Sequence, residues 1–264
     1  MDERRLAIGV DVGGSGIKTG AVDLDTGQLV SERLRVATPQ PATPEAVIAS
    51  IARLVRRIRQ AAALPAETSV PVGVDLPCVV IDGVTRTAAN IDPAWIGHPA
   101  EASLAKALEQ QVIVLNDADA AGLAEVRFGA GKDQAGVVLV LTLGTGVGSG
   151  MFLDGKLIPN TELGHMEIRG RDAERRSAAA ARLRRGLSWK AWAADVDEHL
   201  DAIDKILWPN MIIIGGGVSK NADRFLPLLT VRPPVVAAQL RNNAGIVGAA
   251  MAAAERTLAE SEAG

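Results

Sequence analysis

Short unbroken apolar runs alternate along the chain with stretches whose apolar positions recur at helical spacing. Leu6–Val12 reads as a buried strand, Ile17–Leu24 as a second, and Asp25-Thr26-Gly27 as a turn into a third, Gln28–Val36. After a Pro-rich loop, Val47, Ile48, Ile51, Leu54, Val55 and Ile58 predict a helix that starts at Thr43 or Pro44. Its other face, with Arg53, Arg56, Arg57 and Arg59, reads as solvated surface. Val70–Leu76 is the next strand, ended by Pro77, and Val79–Val84 is a hairpin around Asp82-Gly83. Pro99–Gln110 predicts a short helix and Val112–Leu115 a short buried strand, with a helix opening at Asn116-Asp117 and running to Gly129.

The pattern then begins again. Val137–Leu143, Val147–Leu153 and Lys156–Pro159 form a second strand–turn–strand–turn–strand unit. Arg171–Leu183 and Ser188–Leu207 read as helices, Met211–Ile214 as a strand, Lys220–Leu229 as mostly helical, Pro234–Ala237 as a last strand and Ala244–Leu258 as a closing helix. The expectation is an α/β chain of two lobes, 1–116 and 117–264, each opened by an antiparallel meander, with the closing helix 244–258 packing back on the first lobe. A ligand is expected in the cleft between the halves.

Composition narrows the function. The chain has 264 residues, 48% of them hydrophobic, and a formal net charge of −3, which argues against a general nucleic-acid binder. Three Phe, four Trp and no Tyr leave little surface for stacking bases. The single cysteine, Cys78, excludes a disulfide framework and a cysteine-rich zinc site. No apolar run reaches the length of a membrane span, and the first residues enter a strand without a signal-peptide core. The expectation is a soluble, cytoplasmic protein.

The polar punctuation carries the chemistry. Gly13-Gly14-Ser15-Gly16 joins the first two strands with no helix after it, which excludes the dinucleotide-binding and Walker arrangements. Its counterpart in the second half is Thr142-Leu143-Gly144-Thr145-Gly146, whose glycines let backbone N–H groups approach an anion while Thr145 adds a hydroxyl. Glu162-Leu163-Gly164-His165 sets an acid and an imidazole three residues apart, a clamp for a polyhydroxylated ligand. Taken singly, each turn also reads as a hairpin, and Asn116 or Asp117 as a helix cap.

In order and spacing, DVGGSGIK, AANID-W, NDADAAG, LTLGTGVGSG, ELGH and IIIGGGVSK resemble the ROK sugar kinases, and within them the polyphosphate glucokinases. The resemblance runs from about Ala7 to about Ala252. It implies a duplicated, actin-like (ribonuclease H-like) fold, a homodimer, and transfer of a phosphoryl group from inorganic polyphosphate and ATP to the 6-hydroxyl of glucose, with Mg²⁺. The alternative within the family is a strictly ATP-dependent hexokinase acting on glucose, mannose or another hexose.

The family's catalytic aspartate falls on Asp117, which would take the hydroxyl proton. Asn90, Asn116, Asp117, Glu162 and His165 are the sugar positions, and Glu174, with Glu167 as competitor, the fourth acid. Asp11 suits a water-mediated Mg²⁺ contact. Gly13, Gly14, Ser15, Gly16 and Lys18, then Thr142, Gly144, Thr145 and Gly146, then Gly215, Gly216 and Gly217, are the phosphate and nucleotide positions. Two departures stand out. Met166–Ser177 lacks the cysteines of the broader family's zinc motif, so no zinc site is expected, and Cys78 replaces a glycine that can border the sugar pocket.

A sugar-responsive repressor of the same fold needs a helix-turn-helix, and about five residues precede the first strand. A sugar-binding protein without catalysis is disfavoured by Asp117 and the two phosphate turns. For the donor, Arg169, Arg171, Arg175, Arg176, Arg182, Arg184, Arg185 and Lys190 form a basic tract after the ELGH motif that would suit a long polyanion.

Overall fold

A computed structural model of the chain describes residues 5–64 and 70–263. Residues 1–4, expected to precede the first strand, lie outside them. The chain divides into two compact units, Met1–Ala124 with Asn243–Gly264, and Glu125–Asn242. The division lies inside a helix rather than at 116/117.

The first unit opens with β1 (Leu6–Gly13), β2 (Gly16–Asp23) and β3 (Leu34–Val36). The third strand is much shorter than the predicted Gln28–Val36, which touches the sheet earlier only through an isolated Val22–Leu29 bridge. Helix α1 (Pro44–Ala61) starts where expected: the Thr43 hydroxyl accepts the Ala46 N–H, and Pro44 occupies the first turn. Then come β4 (Val72–Leu76), the small hairpin β5 (Val80–Ile81) and β6 (Val84–Thr85), α2 (Ala100–Leu108), β7 (Val112–Asn116) and α3 (Asp117–Phe128). The sheet order is β3-β2-β1-β4-β7, antiparallel through the meander and parallel from β1 to β4 to β7.

The second unit repeats the plan with β8 (Val137–Leu143), β9 (Val147–Leu153) and β10 (Lys156–Ile158), then β11 (Glu167–Ile168), β12 (Arg171–Asp172), α4 (Glu174–Ser177), α5 (Ala179–Arg184), α6 (Trp189–Leu207), β13 (Met211–Gly215) and β14 (Val235–Ala237). Its order, β10-β9-β8-β13-β14, has the same senses of pairing. Two sheets with one topology make the fold a duplicated ribonuclease H-like, actin-like α/β fold.

Helix α7 (Ala244–Ala263) returns to the first unit and packs on β1 and β4. Two strand glycines permit this. A Cβ on Gly9 would sit 1.7 Å from the Ile246 carbonyl oxygen, and one on Gly73 would sit 1.8 Å from that of Ala249. The other face of this sheet packs against α1, with Val47, Ile51, Leu54 and Ile58 in a core that also takes Val10, Val74 and Trp95. Each such side chain contributes about 1.5–3 kcal/mol by leaving water. In the second unit, Trp192, Val196, Leu200 and Ile203 of α6 pack with Leu139, Leu141, Ile212 and Phe225.

One predicted helix is corrected. Arg171–Leu183 is a hairpin strand and two short helices. Arg169 and Gly170, both with positive φ (56° and 73°), turn β11 into β12. Ala178 is extended (φ −60°, ψ 148°) between α4 and α5. Tertiary partners impose that break: the Ala178 carbonyl accepts the Trp192 indole N–H, and the Ala180 N–H donates to the Gly144 carbonyl. Lys220–Leu229 is mostly helical as expected, in two 3₁₀ runs, Gly217–Arg224 and Leu226–Leu228.

Candidate active site

In the first unit, the parallel strands β1, β4 and β7 bring acids to their carboxyl ends. Asp11 is the register partner of Asp75, and Leu76 that of Asn116, so Asp117 follows directly at the start of α3. Asn116 is buried and its amide is held at both ends: Oδ1 accepts the N–H groups of Ala118 (2.8 Å) and Asp119 (3.2 Å), and Nδ2 donates to the Cys78 carbonyl (3.1 Å). It is the cap of α3, which fixes the neighbouring half-buried Asp117 on a rigid element. The Cys78 side chain is 1% exposed in the hydrophobic core, so the replacement of a glycine is absorbed by packing.

Asp75 is the acid that the sequence pattern does not single out. It is wholly buried, its Oδ1 accepts the Val12 N–H at 3.1 Å, and its Oδ2 has no hydrogen-bond partner among the described residues. Burial first, then the negative charges of Asp11 and Asp117, hold its carboxyl well above the usual carboxylate range, against the opposing pull of the Val12 N–H and Lys18. Lys18 Nζ donates to Asp11 Oδ2 at 2.6 Å, so this lysine offsets the charge of Asp11. The Gly13-Gly14-Ser15-Gly16 turn is pinned by the Thr38 hydroxyl on the Gly13 carbonyl (2.5 Å) and by Arg35 on that of Ser15 (3.1 Å). Asn90 is exposed and, with Gly14, lines a cavity of about 280 Å³.

In the second unit, Glu162 precedes a single 3₁₀ turn, Leu163–His165, and His165 ends it. His165 Nε2 is 3.6 Å from Glu162 Oε2, and its Nδ1 is 3.3 Å from Asp172 Oδ2. His165, Asp172 and Glu174 have ligand atoms within 4.8 Å of one another. Glu174, not Glu167, therefore joins this cluster. Its Oε2 also accepts the Val147 N–H at 2.9 Å, which ties α4 to the start of β9. Burial raises the Glu162 carboxyl above its usual range, with the Glu174 charge adding to this and His165 opposing it.

Behind the cluster lies His199, 2% exposed on α6. Its ring joins the Leu163 carbonyl (3.0 Å from Nε2) to the Ser177 hydroxyl (2.9 Å from Nδ1). Thus one imidazole ties the clamp turn to α4. In the sequence it is indistinguishable from any other inward position of an amphipathic helix.

The Gly144–Gly146 turn is closed by the Gly144 N–H on the Gly146 carbonyl (2.9 Å), leaving Thr145 exposed at its tip. Thr142 and Gly215 are register partners on β8 and β13. Gly216 (φ 79°) must be glycine, because a Cβ would lie 2.6 Å from the Leu143 carbonyl oxygen. Gly217 opens a 3₁₀ run.

The ROK family model matches residues 7–182. A polyphosphate glucokinase of Mycobacterium tuberculosis (strain CDC 1551 / Oshkosh) is 51% identical over 255 residues, covering 96% of this chain and 93% of that protein. The crystal structure of an inorganic polyphosphate/ATP-glucomannokinase from Arthrobacter sp. strain KM superposes with a TM-score of 0.91 at 50% identity, covering 95% of this chain and 99% of that one. A ROK family glucokinase from Streptomyces griseus, in complex with glucose and AMPPNP, gives a TM-score of 0.81 at 26% identity, with 95% and 99% covered. No helix among the described residues is long and apolar enough to cross a membrane. The chain belongs to the ROK family.

Proposed function

We propose that the chain is a glucokinase that transfers the terminal phosphoryl group of inorganic polyphosphate, and of ATP, to the 6-hydroxyl of glucose. The observation that carries this reading is the 51% and 50% identity, over nearly the whole chain, to proteins named for polyphosphate-driven phosphorylation. Asp117 is the base. It accepts the proton of the 6-hydroxyl as that oxygen bonds to phosphorus, and the bond from phosphorus to the donor's bridging oxygen breaks. Its place after a capped strand end keeps the carboxylate from wandering, so orientation is fixed before substrate arrives.

Asn90 and Asp117 in the first unit, and Glu162, His165 and Glu174 in the second, are the sugar positions carried over from the family. Carboxylates accept from sugar hydroxyls, and each such group left unpaired by a wrong sugar costs about 1–3 kcal/mol. Asn116 is a further sugar position: its Oδ1 caps α3, and one of its two Nδ2 donors remains after the bond to the Cys78 carbonyl.

Mg²⁺ fits as an ion that comes with the donor phosphates. Such an ion keeps several waters and uses one or two carboxylates besides phosphate oxygens. Asp11, half-buried at the end of β1 and with Lys18 on only one of its oxygens, would hold it through water. When bound, it neutralises charge on the phosphate oxygens. The family's homodimer is part of this reading, and light scattering of the purified protein tests it.

The deciding assay measures glucose 6-phosphate formed from polyphosphate and from ATP, side by side, in Mg²⁺. Both should serve. Product from ATP alone would make the enzyme an ATP hexokinase of the same fold. Mannose belongs in the same assay, since the Arthrobacter protein is named a glucomannokinase.

A further inference from the structure

The basic tract after the clamp separates into two kinds of cation. Arg176 is ion-paired with Asp195 and with Glu198 (Nη1–Oε2 3.1 Å), and Arg185 Nη1 reaches Asp195 Oδ2 at 2.6 Å. Asp195 is 7% exposed, a buried carboxylate shared by two guanidinium groups. Arg169 pairs with Glu198 at 2.7 Å. Arg182 lies 4.0 Å from the centre of the Trp189 ring and donates to the Leu187 carbonyl. These four side chains are tied into the fold.

Arg171, Arg175 and Arg184 are different. All three are exposed, and none of their guanidinium groups meets a carboxylate among the described residues. Arg184 donates to the Arg175 carbonyl at 3.1 Å. The two kinds of arginine wall one cavity of about 610 Å³, with Thr145 from the glycine turn on its lining. Two acids also line it, and both are engaged: Asp172 with the His165 ring, and Glu174 with the Val147 N–H.

We propose that this cavity seats the phosphate chain of the donor, with Arg171, Arg175 and Arg184 as its contacts and Arg176 and Arg185, held by Asp195, as the fixed wall behind them. The inference rests on the reading of the chain as a polyphosphate-using kinase and says where on the second unit the donor binds. A phosphate chain carries charge on every unit and has no base to recognise, so its site must be built from cations and N–H donors. Guanidinium forks match phosphate oxygens in pairs. Three arginines without carboxylate partners in one concavity repel one another, a cost that a bound polyanion removes. The cavity's size lies in the range of about 300–1,000 Å³ typical of ligand sites. Thr145 links it to the turn that the family uses for phosphate.

The test is equilibrium binding of long-chain polyphosphate to the whole protein without glucose, across a salt series, for the wild type, the double variant Arg175→Gln/Arg184→Gln and the single variant Arg176→Gln. The double variant should bind about tenfold more weakly, with a flatter salt dependence and a melting temperature no lower than the wild type's, since it removes two of the mutually repelling charges. Arg176→Gln should lower the melting temperature, because it leaves Asp195 with one partner fewer. If the wild type binds and uses polyphosphate but the double variant binds it equally well, the cavity is not the seat and the donor assignment stands. If the wild type neither binds nor uses polyphosphate, the donor assignment itself falls.

Discussion

Asp11 and Asp75 stand opposite each other in register on adjacent parallel strands, and Asp75 is wholly buried there. A Cβ on Gly245, at the start of α7, would lie 2.7 Å from Asp75 Oδ2 and 3.0 Å from Asp11 Cγ. A second ionised carboxylate in this packed corner would be repelled by Asp11 and Asp117, so the folded state favours the protonated acid.

Stability should therefore depend on pH through Asp75. Its folded pKa lies above the ordinary value of 3.8, so the folded state binds more protons than the unfolded chain above that pH. The stabilisation is fully present below 3.8 and is lost as pH rises through the folded value. Asp75→Asn has no proton to lose. Its melting temperature relative to the wild type should rise steadily from pH 4 towards neutrality, and parallel profiles of the two proteins would refute the assignment.

Asp117→Asn should keep the fold and sugar binding while lowering turnover by about 10²–10⁴, the range for a lost general base. The change is nearly isosteric, and the cap of α3 is Asn116, which it leaves untouched. Stopped assays with each donor, beside a glucose-binding titration, check both halves. Near-normal turnover would remove Asp117 from the role of base.

Much of this is legible in the chain. The apolar runs mark β1, β4, β7, β8 and β13, Thr43 and Pro44 mark the start of α1, and the repeat of a meander announces the duplication. Those signals are local, and the structure agrees with local physics. Asp75 is not legible, because inside the run Val72–Leu76 it is one polar residue in a strand, and only the pairing of β4 with β1 and β7 reveals its neighbours. The break at Ala178 is hidden for a similar reason: an alanine-rich stretch with good helical spacing gives no warning of Trp192 and Gly144, which hold its backbone open. Nor can charge counting separate Arg175 from Arg176, since the difference is Asp195, 19 residues beyond Arg176.

Chelation should abolish turnover without lowering the melting temperature, and Mg²⁺ should restore it. The basis is Asp11, which offers a single carboxylate to an ion brought by the donor rather than a closed cage. The purified protein should also lack stoichiometric zinc. A structural zinc site takes four ligands, usually with cysteine among them. His165, Asp172 and Glu174 are three, of which Asp172 faces the imidazole and Glu174 holds the Val147 N–H. Elemental analysis showing one zinc per chain, or unfolding on chelation, would contradict this.

His199 should act on glucose affinity without touching glucose. Its Nε2 faces the Leu163 carbonyl, which can only accept, so Nε2 carries the proton, and the single Ser177 hydroxyl proton is shared between Nδ1 (2.9 Å) and the Ala173 carbonyl (3.0 Å). Leu163 lies inside the turn that carries Glu162 and His165, and Ser177 ends the short helix that begins with Glu174. His199→Ala frees both and leaves a buried carbonyl without its donor, at a cost of about 1–3 kcal/mol. The KM for glucose should rise more than kcat falls, and His199→Gln, whose amide N–H can reach the same carbonyl, should recover much of the loss. Burial keeps the imidazole pKa below its ordinary 6.5, outweighing the Leu163 carbonyl and the Glu174 charge, which favour protonation. The sign follows: the unfolded chain takes up the proton first as pH falls, so the contribution of His199 is complete above 6.5 and declines below it. The wild type should lose melting temperature between pH 6.5 and 5 faster than His199→Gln does. Equal pH profiles, or a His199→Ala variant with unaltered KM for glucose, would leave His199 as packing alone.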